Sequence, residues 1–182
     1  VGAQSFYSQR GDNLNTNVHF DVAIPNAASA ALTFKVNYDI EDEYDFGRVL
    51  VNGTPIAGNI TTTYDPHEIG YGIGFTGVSN GWVDATFDLT AYAGQTVTIS
   101  FNYLTDGGYV KNGYWFDEVT VSADSQTLAY FNAESSAPEL TLDGMALNDG
   151  SFEHEHYYLA EWRQHEGVDK GLAHINRNNH IM

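Results

Sequence analysis

Apolar and polar side chains alternate residue by residue through Leu32-Thr33-Phe34-Lys35-Val36-Asn37-Tyr38, and again through Val97-Thr98-Ile99-Ser100-Phe101-Asn102-Tyr103. A period of two puts one set of side chains on one face of an extended chain and the other set on the opposite face. Each run is therefore a β-strand buried on one side only. Similar runs rich in Val, Thr, Ile, Tyr and Phe recur between turn signals, and the expected strands are Asn17–Val22, Ala31–Tyr38, Phe46–Val51, Trp82–Leu89, Thr96–Leu104, Tyr114–Val121, Leu128–Asn132 and Leu140–Leu147. Asn52-Gly53 and Asp106-Gly107-Gly108 read as hairpin turns, and Asn80-Gly81, Asn112-Gly113, Asp143-Gly144 and Asp149-Gly150 as further loops. No long helical pattern interrupts them. The pattern predicts an all-β chain folded as an antiparallel β-sandwich of the jelly-roll kind.

Composition narrows the partners. Asp and Glu number 24 against 7 Lys and Arg, a net charge of −17 over 182 residues, so the field of the protein repels polyanions. Nucleic acid and anionic membrane surfaces are excluded as partners on that ground. Hydrophobic residues make up 42% of the chain, enough for a packed core despite the charge. Cysteine is absent, so stability has to come from packing, with bound cations as an additional source open to it, rather than from disulfides. No stretch approaches the roughly 18 apolar residues of a membrane helix, and the opening VGAQSFYSQRGDN has neither the basic start nor the apolar run of a signal peptide. With no initiator Met and a polar end, GLAHINRNNHIM, the chain reads as a piece of a longer protein.

Five carboxyl groups crowd into seven residues at Asp39, Glu41, Asp42, Glu43 and Asp45. Carboxylates this dense repel one another unless water or a shared cation intervenes, and oxygen donors in number suit calcium. A solvated strand end with an acidic turn would carry the same residues. Between Gly58 and Gly81 lies the longest stretch without a strand pattern, beyond the roughly 12 to 15 residues usual for an idle loop. Its aromatic residues, with Trp82 just after it, either plug the core or form a lid or sugar-stacking surface.

The sequence carries no zincin, thiol or serine-elbow pattern. His67-Glu68, His154-Glu155 and His165-Glu166 each lack the second histidine that would put two imidazoles on one helix face toward zinc. Without cysteine there is no thiol nucleophile, and no G-x-S-x-G elbow occurs. Of the seven histidines, His154, His156, His165, His174 and His180 fall in the last 29 residues, at spacings that match no closed metal site. Asn59-Ile60-Thr61 fits a glycosylation sequon of low specificity.

The segments SFYSQRGDNLNTNVHFDV, LTFKVNYDIEDEYDFGRVLVNG, GWVDATFDLTAYAGQTVTISFNYLTDGGYVKNGYWFDEVTVSAD and HYYLAEWRQHEGVDKGL resemble the region downstream of the catalytic domain in the immune inhibitor A family of secreted bacterial zinc metalloproteases. The first three are similar to its MAM-like jelly roll, and the last resembles the start of a further β-rich domain. The resemblance divides the chain into a sandwich over 1–152 and a C-terminal segment over 153–182. It implies a secreted, extracellular bacterial protein and a non-catalytic accessory role, stabilising the enzyme or presenting protein substrate, with the catalytic domain of the same protease as partner. Zinc would belong only to that absent domain. It also implies structural calcium, with Glu41, Asp42, Asp45, Asp106, Asp117, Glu118 and Glu134 as candidate ligands. Asp117 and Glu118 can both point inward only if a bulge intervenes, since adjacent strand residues face opposite ways. The competing expectation is a carbohydrate-binding module that stacks sugar on Tyr64, Tyr71, Trp82, Tyr109, Tyr114 or Trp115. In the C-terminal segment, Tyr157 to Trp162 is expected to pair as a strand, because an open strand edge leaves backbone groups unsatisfied.

Overall fold

A computed structural model describes residues 1–135 and 137–151, and the expectations for 153–182, the five histidines and the Tyr157 to Trp162 strand among them, lie outside the described residues. In chain order the strands are β1 (Ser5–Tyr7), β2 (Asn15–Ala23), β3 (Ala30–Asp39), β4 (Phe46–Val51), β5 (Thr54–Pro55), β6 (Val83–Asp88), β7 (Thr96–Leu104), β8 (Gly113–Ala123), β9 (Gln126–Phe131), β10 (Thr141–Asp143) and β11 (Ala146–Asn148). One sheet runs β11-β1-β8-β3-β6, with β9 also on β8, and the other runs β10-β2-β7-β4-β5. Every pairing between these strands is antiparallel. From β1 to β4, and again from β6 to β8, the chain changes sheet at each step, the interleaving of a jelly roll.

Alternation decides which residues fill the space between the sheets. Leu32, Phe34 and Val36 of β3, Val97, Ile99, Phe101 and Tyr103 of β7, and Tyr114, Phe116, Val119 and Val121 of β8 are all buried. Their rings interlock across the gap. Phe101 stacks on Phe116 at 4.3 Å between centroids and meets Phe34 edge-on at 4.9 Å, and Tyr103 meets Tyr114 edge-on at 5.7 Å. Such pairs add about 0.5–1.5 kcal/mol each beyond the area they bury.

Two turn expectations fared differently. Asn52 and Gly53 have φ of 50° and 79° and join β4 to β5 as a two-residue hairpin, the left-handed pair that an Asn-Gly turn requires. The Asp106-Gly107-Gly108 turn is not a hairpin. Its flanking strands β7 and β8 lie in different sheets, so the loop crosses the end of the sandwich. The single strand expected over Leu140–Leu147 is two: β10 joins β2 in one sheet, β11 joins β1 in the other, and Gly144, at φ 80°, makes the break. β1 was not expected at all. Three residues are too few to show a period, and its partners are more than a hundred residues away.

The 58–81 stretch folds back over the end of the sandwich through bridges Thr62↔Gly74, Gly47↔Phe75 and Asp39↔Val78. Phe75 is its plug, fully buried against Tyr38 and Tyr114 at 5.1 Å each. Gly47 makes room for it, since a Cβ there would run into the Phe75 ring. Arg48 ties the loop down, giving Nη1–H to the Tyr71 carbonyl at 2.7 Å and Nε–H and Nη2–H to Asn102 Oδ1. Asn59, of the sequon, caps the free edge of β6 instead, donating to the Asp84 carbonyl and accepting from Thr86 N–H.

Candidate metal centre

The acidic run forms the β3–β4 connection, and its five carboxyl groups part company there. Asp39 is held by Lys111 at 3.1 Å and Asn112 at 2.7 Å. Glu43 meets His67 Nε2 at 3.1 Å, and the His67 ring stacks on Tyr44 at 4.2 Å. Asp42 faces the 58–81 loop, where a Cβ on Gly77 would come within 3.1 Å of its Oδ1. Glu41 and Asp45 turn the other way, toward Asp106 of the β7–β8 crossing.

Each of Glu41, Asp45 and Asp106 offers one oxygen, and the three oxygens lie within 4.8 Å of one another. Among the described residues this is the one group of three or more potential ligands so placed. Asp45 anchors it. Only 3% of Asp45 is exposed; a turn closes over it through its own N–H to the Glu41 carbonyl at 3.1 Å, and its Oδ1 accepts the Asp106 N–H at 3.0 Å. Tyr103 O–H approaches Oδ2 at 3.5 Å. Burial pushes the Asp45 carboxyl up to about 6, the Asp106 N–H draws it back, and the charges of Asp106 and Glu41 raise it further. Removing a carboxylate from water and setting two more beside it disfavours its ionised form, and a divalent cation reverses both effects. The donor set is all oxygen with no imidazole or thiolate, which suits calcium or magnesium rather than zinc.

Asp117, Glu118 and Glu134 gather elsewhere. Thr33 pairs with Thr120 but Lys35 with Asp117, so three residues of β8 span two of β3, in a bulge at Glu118, whose φ is 54°. The bulge therefore exists. It does not turn both carboxyl groups into the core: Phe116 and Val119 hold the core positions, while Asp117 is buried on the outer face beneath the chain's first residues. Asp117 accepts Gly2 N–H and Ala133 N–H, both at 3.2 Å. Val1 nitrogen donates to Glu118 at 2.7 Å, and Gln4 N–H to Glu134 at 2.6 Å. Here the carboxyl groups bind backbone.

The sugar-stacking residues do not form one platform. Tyr114 is fully buried, a correction that alternation itself could have supplied, because Tyr114 shares its face with Phe116. Tyr71 meets Phe46 edge-on at 6.0 Å. Trp115 stacks on Tyr7 at 4.8 Å and donates its indole N–H to Asn148 at 3.1 Å. Tyr64 and Tyr109 are exposed but sit in different loops, and Trp82 precedes β6.

The fold is an interleaved antiparallel β-sandwich with an acidic crossing at one end. Residues 1–150 match the family described as "Immune inhibitor A-like, MAM domain", and the chain belongs to that family. It is 45% identical over 181 residues to the pre-pro-metalloprotease PrtV of Vibrio cholerae, covering 100% of this chain and 20% of PrtV. Immune inhibitor A of Bacillus thuringiensis subsp. alesti is 34% identical over 174 residues, covering 94% of this chain and 25% of that protein. Bacillopeptidase F of Bacillus subtilis is 29% identical over 104 residues, covering 57% of this chain and 7% of that protein. The chain thus spans a quarter or less of the length of these relatives, and it corresponds to a non-catalytic part of the metalloproteases among them.

Proposed function

We propose that this chain is the calcium-stabilised accessory domain of a secreted metalloprotease of the immune inhibitor A kind, one that steadies the catalytic domain of the same protein or presents protein substrate to it. The match of residues 1–150 to the MAM domain of that family carries the accessory role. Secretion fits a chain that has no cysteine and draws on a cation in place of disulfides. Zinc chemistry belongs to the catalytic domain.

Glu41, Asp45 and Asp106 would hold the calcium. They supply three of the six to eight oxygens that calcium takes, leaving room for carbonyl groups and water. When bound, the ion supplies charge neutralisation: it ties the β3–β4 connection to the β7–β8 crossing and keeps Asp45 ionised at neutral pH. By this reading the sandwich ends near residue 152, and 153–182 opens the next domain. The test is a melting experiment in calcium and in chelator, together with a casein digestion. A calcium-dependent rise in melting temperature with no casein cleavage is expected; chelator-sensitive cleavage by the purified chain would overturn the non-catalytic reading.

A further inference from the structure

We propose that a cleft on the outer face of the larger sheet, walled by Trp82 and Trp115, is where this domain receives another domain of the longer protease, through an apolar side chain flanked by a basic group. This rests on the accessory reading above and gives it a surface. The cleft holds about 240 Å³ and is lined by residues 1–5, Asn37, Trp82, Trp115, Asp149 and Gly150. Its floor follows from strand register. Trp115 pairs with Tyr7 on one side and Asn37 on the other, and Trp82 lies one step beyond the Val36↔Val83 pair, so the four residues form a row across β1, β8, β3 and the start of β6.

Three observations converge on a domain of the same protein as occupant. First, β1 and β11 are antiparallel neighbours, with Ser5 opposite Asn148, so the path into the domain and the path out of it lie side by side. Residues 1–5 and 149–150 line the same cleft. In relatives of which this chain covers only 20% and 25%, the remaining polypeptide is therefore tethered at this corner, at high effective concentration. Second, the incoming path is fixed rather than loose, because Asp117 and Glu134 take the N–H groups of Gly2 and Gln4. A pinned tether sets the direction as well as the distance of its neighbour. Third, Trp82 is 40% exposed beside an indole already fixed by Tyr7 and Asn148. A rigid aromatic wall is the usual anchor of an interface. Asp149 lines the cleft on a chain of net charge −17, so a lysine or arginine beside the incoming apolar side chain complements it.

Hydroxyl-radical footprinting of the 182-residue chain and of the full-length protease tests this. Trp82 should be oxidised about fivefold more slowly in the full-length protein, since an interface anchor is shielded from water. Tyr64 and Tyr130, both exposed and away from the cleft, should react equally in the two. Equal Trp82 rates would overturn the proposal, and so would protection of Trp82 in the 182-residue chain by added chito- or cello-oligosaccharide, which would assign the cleft to sugar. The two readings fail separately. If deleting the domain hastens thermal inactivation of the protease while Trp82 stays fully reactive, only the docking cleft falls; if deletion changes nothing, the accessory role falls with it.

Discussion

At the end of the sandwich, Asp45 is buried with Glu41 and Asp106 for neighbours, whereas on the outer face of the larger sheet Asp117 is buried beneath the N–H groups of Gly2 and Ala133. Both residues are almost wholly inaccessible, at 3% and 0% exposure. Their surroundings are opposite in sign. Asp117 is met by donors that complete it, so it stitches the first residues and the 132–134 turn onto β8. Asp45 is met by one N–H, the Tyr103 O–H at 3.5 Å and two acidic groups, so its ionised form is the one that a cation would favour. Burial alone does not distinguish a structural carboxyl group from a ligand; the polarity of what converges on it does.

The largest effect expected from breaking this contrast is at Asp117. Asp117→Ala strands two backbone donors, and at about 1–3 kcal/mol for each unsatisfied group the loss should be about 3 kcal/mol. Urea unfolding should show the same loss in calcium and in chelator. A loss confined to calcium buffer would move the ion to the outer face and erase the difference between the two sites.

Calcium comes next. An ion bound only by the folded state adds about 2.7 kcal/mol at a hundredfold excess over its dissociation constant, which is several degrees of melting temperature for a domain of this size. Asp45→Asn should abolish that gain and Asp117→Asn should retain it. Superimposable melting curves in calcium and chelator would dispose of the metal centre.

A third, smaller effect has a diagnostic sign. In chelator the folded-state pKa of Asp45, about 6, stands above its ordinary value of 3.8. The folded state therefore holds the extra proton, and this contribution is complete below about pH 4 and lost as pH rises through 6. Going from pH 7 to pH 5 without calcium should stabilise the domain by about 1.4 kcal/mol. With calcium the trend should reverse, because protonation of Asp45 releases the ion. Asp65, Asp88, Asp124 and Asp149 have lowered pKa values from N–H and hydroxyl donors and act in the opposite sense, but only at more acidic pH. Parallel pH trends in the two buffers would contradict the assignment of Asp45.

Smallest is Glu134→Gln. Glu134 accepts one exposed backbone N–H, from Gln4, and calorimetry should find a loss of less than about 1 kcal/mol, insensitive to calcium.

How much of this could be read from sequence depends on the range of the interaction. Alternation in β3 and β7 is local, and it located those strands and their buried faces. In β8 the same alternation separates Tyr114 from Trp115, so the burial of Tyr114 is legible in the sequence. The Asp106 turn misled because hairpin chemistry is local, whereas the choice of sheet for β7 and β8 is made by the whole fold. Gly144 splits β10 from β11 for the same reason: each half answers to a strand far away. Among the candidate ligands, spacing could bring Glu41 and Asp45 together across one tight turn. Only the crossing of β7 to β8 brings Asp106 to them, and only the path of residues 1–4 separates Asp117, Glu118 and Glu134 from them.

The pairing of Ser5 with Asn148 also governs when this domain can finish folding. A ribosome adding roughly 5–20 residues per second leaves β1 exposed for roughly ten to thirty seconds before β11 emerges. β8 can join β1 and bring the core rings of Phe6 and Phe116, 5.1 Å apart in the finished fold, together before that, but the other edge of β1 stays open until β11 arrives. Closure is thus the last event of synthesis for this domain, and long-range pairings of this kind close slowly. The interval is the time during which a chaperone has access to its unpaired edges.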